Sequence, residues 1–189
     1  MKARITLAAA AMVAVGGLAL AASLRQEGYA PPKPTKFHEY MKQLEGNWDS
    51  TAEFMGEKPG DPPMKSKGSG TDKIIANGLF LITDYKGDMM GTEFIGHGIM
   101  GYDTQKKKYT GSWIDSMSTA IWTSEGTCDD AGKVFTATME GPDPMTGKMM
   151  KMKMVSEITG KDSKKLTMFM DGPDGKEMQL GKIEYTRKK

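Results

Sequence analysis

The chain has 189 residues, with 26 Lys and Arg against 24 Asp and Glu and 38% apolar side chains, which suits one ordinary globular domain. A single cysteine excludes an intramolecular disulfide framework and any multi-cysteine metal or iron-sulfur site. Near-neutral charge supplies no clustered basic footprint, so neither nucleic acid nor an anionic lipid surface is expected as a partner.

Lys2 and Arg4 precede an uncharged stretch from Ile5 to Leu24, rich in Ala, Val, Leu and Gly, which contains Ala19-Leu20-Ala21 in the A-x-A form of a signal-peptidase site. Residues 1–21 therefore read as an export signal cut after Ala21. The mature chain would be periplasmic or secreted, with no membrane attachment once the signal is gone. Loss of Lys2 and Arg4 leaves 24 basic against 24 acidic residues, a net charge of zero. The competing reading is an uncleaved N-terminal anchor, because a membrane span needs about 20 residues; the Ala and Gly content makes this one a weak span. Cys128 is far from the cut, which excludes a lipoprotein anchor. With no cation cluster beside it in sequence, it is expected to pack as a small hydrophobe rather than to react.

Residues 22–34 read as a linker, since Pro31, Pro32 and Pro34 oppose regular structure. The folded domain is expected over 35–189. Thr35 has the chemistry of an N-cap, and Phe37, Tyr40, Met41 and Leu44 fall on one helical face before Gly46 stops the turn. The period then changes to two. Strands are expected near 47–54, 67–76, 79–86, 92–102, 108–115, 119–127, 133–140, 148–158, 165–171 and 176–187, most of them joined by short turns such as Asp103-Thr104-Gln105-Lys106 and Asp129-Asp130-Ala131-Gly132. Consecutive hairpins make an antiparallel meander. A meander of ten strands exposes two long edges unless it closes, so the expected fold is an all-β, up-and-down barrel with a short N-terminal helix.

Gly46-Asn47-Trp48, opening the first strand after the helix, resembles the G-x-W signature of lipocalins and other calycin-type barrels, in which the helix covers one end and the Trp packs across it. A longer series extends the resemblance. Phe94-Ile95-Gly96-His97-Gly98-Ile99-Met100-Gly101-Tyr102-Asp103, Lys107-Lys108-Tyr109, Trp113-Ile114-Asp115, Thr119, Glu125-Gly126-Thr127, Asp143-Pro144-Met145-Thr146-Gly147-Lys148 and Tyr185-Thr186-Arg187 are similar, in order, to the uncharacterised bacterial family known as domain of unknown function 1579. His38, Gly78 and Phe80 fit the same pattern. The resemblance runs from Thr35 to Arg187 and implies a calycin-like barrel without an established activity.

Gly96-His97-Gly98-Ile99-Met100-Gly101 also spells G-x-G-x-x-G, but a dinucleotide fingerprint needs a helix opening directly after it, and a polar turn and strand chemistry follow instead. The three glycines are expected to mark a bend or bulge in a barrel strand. If the loop after Tyr102 holds an odd number of residues, His97 faces Trp113 and Ile95 faces Asp115. Ile95, His97, Ile99, Tyr109, Trp113 and Asp115 would then form one cavity wall of apolar bulk with a few polar groups. An even loop would separate His97 from Trp113. Met150, Met152 and Met154 alternate with Lys151 and Lys153, and Met168 and Met170 repeat the alternation on the next strand. Such thioether stripes suit adaptable packing or cavity lining, with Cu(I) as the less favoured use. In the related nitrobindins haem hangs from a histidine near the C-terminal end of the barrel; no histidine follows His97 here, so no cofactor is expected.

No nucleophile elbow, H-E-x-x-H or P-loop occurs. The leading expectation is a non-enzymatic exported barrel holding a small apolar or amphipathic ligand, lined by Trp48, Ile95, His97, Trp113, Asp115, Met150, Met152, Met154, Met168 and Met170. One alternative is a hydrolase or isomerase working through His97 and Asp115. The other is an interaction module with a solid core and no ligand.

Overall fold

A computed structural model describes residues 30–56, 61–89, 91–143, 146–172 and 174–189. The export signal and most of the linker expected from the sequence lie outside the described residues. The folded unit is Pro34–Lys189.

Thr35 opens the domain as expected, although the first turn, Lys36–His38, is a 3-10 turn that runs into the short helix α1 (Glu39–Leu44). His38 is buried and its Nδ1 accepts the Thr35 backbone N–H at 2.9 Å, so the side chain closes the turn it sits in. Tyr40, Met41 and Leu44 form the buried face of α1 and pack on Leu81 and Tyr109, while Phe37 stays partly exposed and stacks on Tyr102 at 4.4 Å.

Ten strands follow: β1 (Gly46–Phe54), β2 (Met64–Ile75), β3 (Phe80–Met89), β4 (Thr92–Asp103), β5 (Lys108–Asp115), β6 (Trp122–Cys128), β7 (Val134–Pro142), β8 (Met149–Gly160), β9 (Ser163–Asp171) and β10 (Glu177–Arg187). Each pairs antiparallel with the next, and β10 returns to β1 with Trp48 opposite Arg187, so the sheet is a closed barrel without a free edge. The expected strands are all present. β6 starts later than the sequence suggests because Ser116 to Ala120 bond locally: Met117 N–H donates to Asp115 Oδ1 and Ala120 N–H to Ser118 Oγ. Helix α1 sits over the end where β1 begins and β10 finishes.

The glycines of β4 do not make a bend or bulge. Its register runs unbroken against both β3 and β5. They make room instead. A Cβ on Gly96 would stand 2.2 Å from Trp113 Cζ2, and one on Gly98 3.0 Å from Trp113 Cε3, so the two glycines form a flat bed for the indole. Gly101 does the same on the other face for the Phe80 ring. The G-x-G-x-x-G spacing is thus a record of two aromatic rings pressed against one strand.

Gly96→Ala should lower stability by about 1–3 kcal/mol in urea unfolding, the usual range for overpacking a filled site. Gly70→Ala, whose new methyl would meet nothing closer than 3.4 Å, should be near neutral.

Candidate functional site

Which side chains face inward is decided at one turn. Asp103 Oδ1 accepts the backbone N–H groups of Gln105 (2.8 Å) and Lys106 (2.9 Å), which hold its carboxyl below the usual range, and Lys107 completes the turn at φ 55. Residues 104–107 make a loop of even length, so Tyr102 faces Tyr109, Gly98 faces Trp113 and Gly96 faces Asp115. His97 is opposite Ile114. The wall that an odd loop would have made does not form. Tyr109, Trp113 and Asp115 point one way and Ile95, His97 and Ile99 the other.

His97 therefore sits on the outside of the barrel. Its side chain is 53% exposed, and Nδ1 lies 2.6 Å from Asp84 Oδ1 on the neighbouring strand, not against Asp115. Ile95 is also partly exposed and, with Ile99 and Ile114, belongs to the outer surface. An acid-base pair of His97 and Asp115 is excluded by this geometry, because the two side chains leave opposite faces of the sheet. Asp115 is engaged elsewhere: Oδ2 accepts Trp113 Nε1–H at 3.0 Å and Oδ1 the Met117 N–H at 2.9 Å.

The other residues expected at the site divide by position along the barrel. Trp48, Trp113, Asp115, Met152, Met154 and Met168 line an interior cavity of about 400 Å³. Met150 and Met170 stand outside that lining, near the strand ends opposite α1. β8 and β9 are adjacent, as the stripes required, with Met154 directly opposite Met168; Met152 faces Met139 on β7. The cavity extends from Tyr40 and Leu44 beneath α1 to Phe54, Met89, Phe94 and Leu180 at the far strand ends, and most of its wall is aliphatic, aromatic or thioether.

Its floor is polar, which the sequence pattern does not announce. Trp48 is buried, donates Nε1–H to the Leu44 carbonyl at 2.9 Å, and has two cations against its ring: Lys164 Nζ is 4.4 Å and Arg187 Cζ 4.1 Å from the ring centroid. Arg187 donates to the carbonyls of Glu45 (2.5 Å) and Gln43 (3.2 Å) at the C-terminus of α1, where a cation is favoured. Its guanidinium runs through the space that a side chain at position 46 would fill, and Gly46 has φ 141, so both sterics and backbone call for glycine there. Lys164 is ion-paired with Asp72, their side chains 11% and 3% exposed, and Asp72 Oδ1 also accepts from Thr83 Oγ1 at 2.5 Å. Burial pushes the Lys164 amine below its ordinary range against the opposing pull of Asp72. The sequence hides this floor, since β2 turns Ser66, Gly70 and Asp72 inward and offers no apolar alternation to read.

Cys128 packs against the cluster under α1, and burial, reinforced by Asp129, raises its thiol to about 11, so it remains protonated at neutral pH.

The sequence matches the model of the family described as "Protein of unknown function (DUF1579)" over residues 33–187. The chain belongs to that family. No curated protein matches it. Among solved structures, Rv2717c from M. tuberculosis is similar with a TM-score of 0.63 at 12% identity, covering 82% of this chain and 99% of that one. A redesigned β-barrel is similar over 79% of this chain and 96% of its own, at 14% identity and a TM-score of 0.43. The first likeness shows the barrel fold that this DUF1579 member shares with Rv2717c.

Asp72→Ala should cost about 3–5 kcal/mol by stranding the Lys164 charge, whereas the double change Asp72→Leu with Lys164→Met should recover most of that loss. Chemical denaturation of both variants beside the wild type would measure it.

Proposed function

We propose that this DUF1579 protein is an exported, calycin-like barrel that binds a small apolar or amphipathic molecule in its interior without transforming it. The observation that carries this reading is the cavity. A void of about 400 Å³ lies within the size range of small-molecule sites, which are mostly apolar with a few placed polar groups. Six of its lining residues are methionines, Met89, Met100, Met139, Met152, Met154 and Met168, and flexible thioethers let a wall adapt to ligands of differing shape. An interaction module would gain nothing from such a space, because an unfilled apolar cavity costs stability in proportion to its volume. The calycin-like assignment is supported by Trp48, which closes the barrel floor beneath α1 with Arg187 laid over its ring. Export is supported by the A-x-A site at Ala19-Leu20-Ala21 and by the absence of any charge from Ile5 to Leu24.

Expression of the full chain followed by mass spectrometry tests both parts. The denatured mass should lack residues 1–21, and the native mass should exceed it by that of a retained hydrophobic molecule. Titration with N-phenyl-1-naphthylamine should show saturable fluorescence enhancement. Met154→Trp should reduce it at least about tenfold by filling the cavity, equivalent to roughly 1.4 kcal/mol, whereas the outward-facing His97→Ala should leave it unchanged. A native mass equal to the denatured one, together with no probe binding, would refute the reading.

A further inference from the structure

Tyr40 lies 2% exposed at the cavity floor, and its hydroxyl has no hydrogen-bond partner of normal geometry among the described residues. A buried hydroxyl in that state carries a desolvation cost that a ligand oxygen would relieve. Burial holds the phenol well above its usual range, with only Ser156 pulling the other way, so at neutral pH Tyr40 is a neutral O–H able to donate.

The charges around it select the ligand's head group. Lys164 is already neutralised by Asp72, and Arg187 is spent on the Gln43 and Glu45 carbonyls and on Asp162 at 3.3 Å. The cavity lining holds three carboxylates, Asp72, Asp88 and Asp115, against the single amine of Lys164. An anionic head would thus enter a space with no uncommitted countercharge and would lose its hydration for nothing. We infer that the interior takes an amphipathic molecule whose uncharged oxygen, a hydroxyl or a carbonyl, accepts a hydrogen bond from Tyr40 beneath α1 while its hydrocarbon lies along the methionine wall. This rests on the interior being a binding site, and it names the chemical class that the site takes.

The test is displacement of N-phenyl-1-naphthylamine by 1-decanol, decanoate and decylamine at pH 8, on the wild type and on Tyr40→Phe. In the wild type, 1-decanol should displace the probe at lower concentration than either charged decyl compound. Tyr40→Phe should weaken 1-decanol by about three- to tenfold, the range for one neutral hydrogen bond, with no change for decanoate or the probe. Its thermal midpoint should be equal to or above that of the wild type, because the hydroxyl removed has no partner of normal geometry. Unchanged 1-decanol affinity in Tyr40→Phe would overturn the inference, as would a lower thermal midpoint together with unchanged affinity, which would mean that Ser156 already satisfies the hydroxyl. Tighter binding of decanoate or of decylamine would overturn the choice of an uncharged head. Failure of both the probe and 1-decanol to bind the wild type would instead remove the binding reading beneath it, and the inference with it.

Discussion

The lower half of the barrel hangs on Trp48. Its indole N–H is tied to the last carbonyl of α1, its faces carry the Lys164 and Arg187 cations, and through those cations it connects β1 to β9, β10 and, by way of Asp72, β2. Four strands and the helix therefore meet at one ring. The arrangement also explains why two basic side chains can enter an apolar interior, since each finds an aromatic face and an oxygen partner in place of water. Without that anchoring, α1, only six residues long, would have little reason to be helical, because so short a helix draws its stability from packing rather than propensity.

Above this floor the interior changes character. Small residues, among them Ser66, Gly70, Gly98 and Ser124, leave room that the methionines, Phe94 and Trp113 only partly fill. The indole of Trp113 lies flat on Gly96 and Gly98 rather than projecting across the barrel, which keeps the centre open. A cavity is thus specified by the pairing of small residues with rings that lie along the wall, and among the described residues the Tyr40 hydroxyl, buried without a hydrogen-bond partner of normal geometry, stands at the closed end beneath α1.

The fold was legible from local patterns, and the site only half so. The change of period after Leu44, the turn residues between runs and the need to close a ten-strand meander led directly to the barrel. Trp48, Trp113, Met152, Met154 and Met168 are legible as inward-facing because aromatic and thioether side chains at alternating strand positions announce a face, and Asp115 shares the face of Trp113 two residues away. Ile95 and His97 were misplaced because the face on which they fall depends on whether a four-residue turn is counted as odd or even. Lys164 and Asp72 escape such a reading for another reason: a charged residue near a strand end carries no local sign of burial, and the apolar face that includes Tyr40 says nothing about partners for its hydroxyl.

What the sequence determined by itself is everything that follows from neighbours in the chain: strand positions, turn chemistry and the opening of the first turn at Thr35. What only the tertiary structure decided is which face each residue shows and which distant partners it meets. Register is set where strands pair, so one turn at Asp103 moves His97 outside and Trp113 inside. Charge inside the barrel is likewise a property of partners 92 residues apart, since Lys164 can be buried only because barrel closure brings β9 and β2 to the same floor and places Asp72 beside it.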